Sequence, residues 1–301
     1  MSEVIEEVVK KNKKVSFSQY TLYSACPHQY KLRYIDKLGE SSGNINTIFG
    51  SAMHETIQNF LTVMYSVSKV EADKINLDSY LFERLKENFV KEKQLLSEGS
   101  PCTQIEMEEF YGDGRRILNW FKKNIGKFYS KSGYELVAVE MPLNKEIKPG
   151  VQFIGFIDIV LHDITENTII IIDLKTSTMG WNQYQKADKY KNAQLLLYKK
   201  FYSDLYGIPL GKIKVEFQIM RRKLPEESAF PIPYMSKHVP ANGAPSVNRN
   251  YDEFIEFINT VFDDNGEFRD IKYPKVPGQY KKNCKWCEFK TRGICDGKET
   301  K

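Results

Sequence analysis

The sequence predicts an α/β fold: a mixed β-sheet core flanked by helices, with a helical N-terminal elaboration and a cysteine-cluster tail. Three observations predict it. Apolar residues recur at helical spacing between residues 50 and 133. Strand-like runs and one long helical run then follow in the order β-β-β-α-β over 134–222. Three of the five cysteines crowd together after residue 283.

Taken in order, residues 1–15 are charged and read as a flexible N-terminus, and a single domain is expected over 16–301. The stretch SFSQYTLYSACPHQYKLRY, from Ser16, reads as a short helix capped by Ser18, broken near Cys26-Pro27 and resuming through Tyr30. Residues 39–47 are rich in Gly, Ser and Asn and read as a loop, with a helix starting near Gly50. In that helix Ile57, Phe60, Leu61 and Met64 form an apolar face that His54 shares. More helix is expected over 78–130. From Tyr134 the character changes: ELVAVEMPL alternates, FIGFIDIVLHD and TIIIIDLKT flank a turn at ITEN, and Ile169–Ile172 is apolar at every position, as in a strand covered on both faces. A helix of about 20 residues ending at Gly207 and the strand KIKVEFQIMRR complete the core. Residues 223–250 read as a loop, and a helix from Tyr251 to Phe262 leads into the cysteine tail, which ends by residue 297.

Composition narrows the function classes. The 301 residues carry 44 Lys+Arg against 39 Asp+Glu, a net charge of +5 that permits a nucleic-acid partner without demanding one. No apolar run reaches the roughly 20 residues of a membrane span, and MSEVIEEVVKKNKK has no apolar core of a signal peptide. The expected setting is therefore cytoplasmic, with no membrane partner. The Lys/Ile/Asn-rich bias fits an AT-rich genome, bacterial or phage.

The chemistry centres on Asp158 and Asp173, each inside an otherwise apolar strand. A carboxylate there must be paired, hydrogen-bonded or metal-bound. A hairpin turning between Thr165 and Glu166 sets the two acids opposite each other, their Cβ atoms about 5 Å apart. Two carboxylates that close ask for a shared cation or a proton. Lys175 falls on the same strand face as Asp173, and Leu174 points the other way. Two acids and an ammonium suit phosphodiester hydrolysis with a hard ion such as Mg²⁺ or Mn²⁺; a buried Asp–Lys salt bridge is the plainer alternative. His54 is either a core histidine or a ligand. Glu140, at a strand end, is either an exposed acid or an auxiliary one. Gln194 and Tyr198, at i and i+4, either decorate a helix or reach phosphate or Lys175.

Cys284-x2-Cys287 followed by Cys295 is the pattern of a metal or cluster site lacking its fourth thiolate. Cys26, next to Pro27, is the natural fourth and Cys102 the competitor; structural Zn²⁺ is an alternative filling. An odd cysteine count argues against a disulfide framework.

Together, SFSQYTLYSACPHQYKLRY, GSAMHE, VAVEMPL, GFIDIV, IIIIDLKTS, QLLLY and the cysteine tail, in this order from residue 16 to 295, resemble the RecB-like PD-(D/E)xK nucleases. These include the AddB nuclease domain, CRISPR-associated RecB-like nucleases and phage exonucleases. The resemblance implies a restriction-endonuclease-like fold. It implies His54, Asp158, Asp173 and the Leu174 carbonyl as metal ligands, Lys175 as catalytic lysine, Glu140 as auxiliary acid, and Gln194 and Tyr198 as the Q-x3-Y helix. It implies a [4Fe-4S] cluster on Cys26, Cys284, Cys287 and Cys295, although the last cysteine gap is longer than the commonest form. The activity implied is a Mg²⁺/Mn²⁺-dependent DNA exonuclease working on single strands or ends, in recombination, repair or phage DNA processing, beside a helicase or recombination protein. The alternatives are a catalytically silent DNA-binding scaffold and a structure-specific endonuclease of the same fold. No Walker A motif is present, so no helicase activity is expected of the chain itself. Tyr20, Tyr23, Tyr30 and Tyr34, interleaved with Lys31 and Arg33, read as a stretch suited to stacking single-stranded DNA, with core packing as the alternative.

Overall fold

A computed structural model describes residues 12–40, 43–96, 98–130, 132–227 and 230–299. In chain order the elements are β1 (Lys13–Val15), α1 (Phe17–Ala25), α2 (Pro27–Tyr30) running into a π-helical turn (Lys31–Ile35), α3 (Ile45–Ser66), α4 (Lys69–Lys74), α5 (Leu77–Leu95) and α6 (Gln104–Asn124). Then follow β2 (Tyr134–Lys148), β3 (Val151–Asp163), β4 (Thr168–Ser177), α7 (Gln183–Lys186), α8 (Lys189–Tyr206), β5 (Ile213–Arg221), β6 (Met235–His238), α9 (Ala244–Val261) and α10 (Glu288–Thr291). The strands pair in the order β1-β3-β4-β5-β6, with β2 also on β3. β3–β4 and β5–β6 are antiparallel, and β1–β3 and β4–β5 are parallel, so the sheet is mixed as expected.

The chain groups into two compact units. One takes the residues up to Gly39, Pro142–Gly155 and those from Arg249; the other takes Glu40–Met141 and Phe156–Asn248.

The first unit has an aromatic core. Tyr20 packs edge-on against Phe254, Phe153 does the same, and Phe257 meets Tyr20, Tyr23 and Tyr30 at ring separations of 4.8 to 5.7 Å. Of the tyrosines read as a DNA-stacking stretch, Tyr20 and Tyr30 are buried core, while Tyr23 and Tyr34 are half-buried with their rings against Tyr30. Arg33 is spent on Glu288 and Lys31 on Asp36. The α1 cap is Ser16, not Ser18. Ser16 has extended backbone and accepts a hydrogen bond from the Gln19 N–H at 3.3 Å, which a serine inside the first turn cannot do. The expectation of flexibility over 1–15 fails at its far end: Lys13–Val15 form β1 beside Val151–Phe153, and Val15 is fully buried. Residues 1–11, where the remainder of that expectation and the signal-peptide reading fall, lie outside the described residues.

In the second unit α3 is the hub. Asn44 accepts from the Asn46 and Thr47 N–H groups and starts the helix five residues before Gly50. The loop expected over 39–47 is shortened accordingly. α3 buries Phe49, Met53, Phe60 and Leu61 against α5 and α6, and the same cluster takes in Ile172 and Leu174 of β4. Gly114 of α6 permits this approach, since a Cβ there would lie 2.6 Å from Leu81. α6 opens with a capping box, Thr103 and Glu106 each satisfying the other's backbone N–H. α8 packs on β4 and β5, starts at Asp188 and stops at left-handed Gly207. The stretch 223–250, expected as loop, also contains β6 and the first two turns of α9. Pro245 sits in the first turn, where a missing N–H costs no helical hydrogen bond. Among the described residues no helix is long and apolar enough to cross a membrane.

Candidate metal centre

The β3–β4 pairs run from Asp163↔Thr168 to Ile159↔Ile172, so the turn falls between Thr165 and Glu166 and the next facing positions are Asp158 and Asp173. Regular pairing stops there. The Asp158 Oδ2 accepts the Leu174 N–H at 2.6 Å and lies 3.5 Å from the His54 Nδ1. The local geometry follows from the sequence: β4 is apolar enough to be buried, so its one carboxylate enters the interior, and Asp173 is 2% exposed. The Lys175 ammonium reaches back 2.7 Å to the Asp173 Oδ2, as same-face neighbours two residues apart permit. Lys175 also stands over the Phe217 ring, 6.0 Å from its centroid.

His54, Glu140 and Asp158 each offer a ligand atom, and these atoms all lie within 4.8 Å of one another. Asp173 is not part of that trio; its oxygen is turned to Lys175. Glu140 reaches the centre by an unusual route. Its φ is +47° within β2, a left-handed kink in a strand. Gln58 bridges the parts, donating from Nε2 to the Glu140 Oε1 at 2.6 Å and to the Asp158 carbonyl at 3.1 Å. Sequence reasoning missed Gln58; its signal was the i, i+4 spacing from His54 along α3. Leu174 is fully buried, and what touches Asp158 is its N–H.

Gln194 donates to the Tyr198 hydroxyl at 3.2 Å, so the two α8 residues act as a pair. Tyr198 is buried and its hydroxyl pKa is raised, first by burial and then by the Asp173 charge. The electrostatics divide the acids. Burial pushes Asp173 up to about 6, the Asp158 charge adds to this, and Lys175 opposes it. Burial acts on Asp158 in the same direction, but His54, Lys175 and the Leu174 N–H together hold it below the usual carboxylate range. Burial opposes charge on His54, and Asp158 outweighs it, leaving the imidazole pKa raised. One anionic carboxylate, one carboxylate near its titration point, a histidine and a lysine share the centre, the mixture expected where a cation is to be held.

In the first unit Cys26, Cys284, Cys287 and Cys295 line one pocket, and the Val276 N–H donates to the Cys26 sulfur at 3.4 Å. All five cysteines are free thiols. Cys284 has its pKa raised by burial and then by Cys287, Cys26 and Cys295. No three cysteine sulfurs among the described residues close to the 4.8 Å spacing of the histidine–carboxylate trio. Cys102 lines a different, apolar pocket beside Leu85, Phe89, Met107 and Tyr111.

Residues 14–296 match a family model described as the PD-(D/E)XK nuclease superfamily. No curated protein matches the chain. Among solved structures, one described as "Crystal structure of SSO0001" is 15% identical, covering 89% of this chain and 94% of its own, with a TM-score of 0.29. A superposition that poor carries no weight.

Proposed function

Because the chain belongs to the PD-(D/E)XK nuclease superfamily, whose members are phosphodiester hydrolases, we propose that it is a Mg²⁺- or Mn²⁺-dependent deoxyribonuclease acting exonucleolytically on single-stranded DNA or DNA ends. The observation that carries this reading is the convergence of His54, Glu140 and Asp158 beside the Asp173–Lys175 pair.

The donor set fits a hard divalent cation. Three of the four candidate side-chain donors are carboxylates and the fourth is imidazole, which Mn²⁺ also accepts. His54, Asp158 and Glu140 would hold the ion, with Asp173 and the Leu174 carbonyl completing the set. A bound ion supplies Lewis acidity toward phosphate and water. Lys175 orients the attacking water and offsets charge developing on the phosphate. Asp173 positions that ammonium, and the Leu174 N–H holds the Asp158 carboxylate in place. Gln58 holds Glu140 in its kink. Gln194 and Tyr198 serve the phosphate side. DNA in recombination, repair or phage replication is the substrate setting proposed, with a helicase or recombination protein as partner in a bacterial or phage-infected cytoplasm.

The cysteine pocket is proposed to hold a [4Fe-4S] cluster. A single structural zinc on the same four thiolates is the alternative. A peptide N–H aimed at a sulfur is the kind of contact that tunes such clusters.

End-labelled single-stranded DNA incubated with Mn²⁺ tests the nuclease reading. Wild type is expected to degrade it, with Asp158→Ala, Asp173→Ala and Lys175→Ala each slower by about a hundredfold or more. Equal degradation by wild type and Asp158→Ala would remove the assignment. Cleavage of circular single-stranded DNA would turn the exonuclease into an endonuclease. Binding without cleavage by wild type would make the chain a silent DNA-binding module.

A further inference from the structure

The aromatic residues first suspected of touching DNA are buried or half-buried, yet a second segment holds its aromatic and basic side chains out in solvent. It is the turn GQYKKNCKWC from Gly278, which carries Cys284 and Cys287. Tyr280 is 93% exposed and Trp286 86% exposed. Lys281, Lys282 and Lys285 lie between and beside them, all exposed. None of these three lysines pairs with a carboxylate among the described residues. Lys285 instead stands over the Trp286 ring, 5.2 Å from its centroid. From Lys275 to Lys298 there are seven cations against two acids, so the surplus exceeds what Glu288 and Asp296 can neutralise.

Exposure here does not come from looseness. The Asn283 side chain donates to the Ala25 carbonyl at 2.8 Å and to the Val276 carbonyl at 3.0 Å. The backbone closes on itself through Lys281 N–H to Gly278 O at 2.9 Å and Cys284 N–H to Lys281 O at 3.0 Å. Tyr280 and Lys281 are both held at positive φ, +52° and +54°, a conformation that disfavours any residue with a Cβ. The turn thus spends backbone strain on aiming a tyrosine into water.

We propose that this turn is a stacking platform for single-stranded DNA, Tyr280 and Trp286 each receiving a base while Lys281, Lys282 and Lys285 follow the phosphates. The proposal rests on DNA being the substrate class. Every base offers a face to an aromatic ring, whatever its sequence. A rigid platform loses little side-chain freedom on binding, which favours affinity. Lysines that only balanced thiolate charge would have no need of an exposed ring on either side of them.

The test uses the full chain as purified, with Mg²⁺ and Mn²⁺ omitted so that binding is read without cleavage. Fluorescein-labelled oligothymidylate is titrated while anisotropy and tryptophan emission are followed. Of the three tryptophans only Trp286 is exposed, so the platform predicts quenching that Trp286→Phe abolishes while keeping affinity. Trp286→Ala and Tyr280→Asn are expected to weaken binding about tenfold each; asparagine is chosen because it tolerates left-handed backbone. Both side chains are exposed, so neither truncation removes core packing. Lys282→Glu with Lys285→Glu is expected to flatten the salt dependence of binding. Unchanged emission, unchanged affinity in both aromatic variants, or equal binding of a duplex of the same length would each overturn the platform. Loss of metal-dependent cleavage with this binding intact would overturn the nuclease reading alone.

Discussion

At Glu140 a strand turns the wrong way for a residue with a Cβ, and the reward is a carboxylate delivered to His54 and Asp158. Left-handed backbone at such a residue costs about 1–3 kcal/mol, a strain that clusters where function requires it. Glu140→Gly is therefore expected to match or exceed the wild-type melting temperature, although it loses the hydrogen bond to Gln58. Mn²⁺ affinity, read by titration calorimetry, should fall about tenfold or more. A variant that melts lower and binds the ion unchanged would reverse both roles. The sequence made Asp158, Asp173 and Lys175 legible because charge inside an apolar strand has no cheap explanation. Glu140 was legible only as an acid at a strand end, since nothing local announces a positive φ at glutamate. The exposed pair Tyr280 and Trp286 and the buried pair Tyr20 and Tyr30 have the same local pattern of aromatics among lysines. Which pair faces water is decided by α9, whose Phe254 and Phe257 come from far along the chain.

Between elements, α6 is fastened to the end of β5 by one carboxylate. Asp113 is wholly buried; it accepts from Arg222 at 2.7 Å and Lys223 at 3.0 Å, and pairs with Arg116. Arg222 is itself buried, its guanidinium 3.5 Å from the centre of the Phe110 ring. Asp113→Ala strands that cation, at a cost of about 3–5 kcal/mol. Denaturant unfolding should show the loss directly, and Asp113→Leu combined with Arg222→Met should recover most of it. A single variant as stable as wild type would mean that water reaches the guanidinium freely. The element order β-β-β-α-β was readable because period-two and period-3.6 patterns are unmistakable over runs this long. The β3–β4 register was readable because a short turn fixes it. Starts were harder. Ser16 and Ser18 are chemically equal cap candidates, and the choice between them depends on backbone just upstream. β6 is four residues long, too short to show a period, and takes its strand geometry from β5.

For the whole molecule, the telling feature is that the first unit is assembled from three separate stretches of chain. Within it Cys26 must meet Cys284, Cys287 and Cys295, and thiolate ligation of a common centre would stabilise by restraining a very long loop. Cys26→Ser and Cys287→Ser are expected to remove absorption near roughly 400 nm from thiolate-bound iron. Cys102→Ser should leave it unchanged. Loss in Cys102→Ser with retention in Cys26→Ser would exchange the two, and a colourless wild type with stoichiometric zinc would replace the cluster. Spacing made three of these cysteines legible; the fourth could not be read from order alone, because the intervening chain is free to bring either candidate. Synthesis adds a consequence of its own. On the ribosome, Val15 and Tyr20 emerge long before Phe254, Phe257 and the tail that bury and bridge them. Val15 meets its strand partner once Val151–Phe153 are made, whereas Tyr20 waits for Phe254 and Phe257.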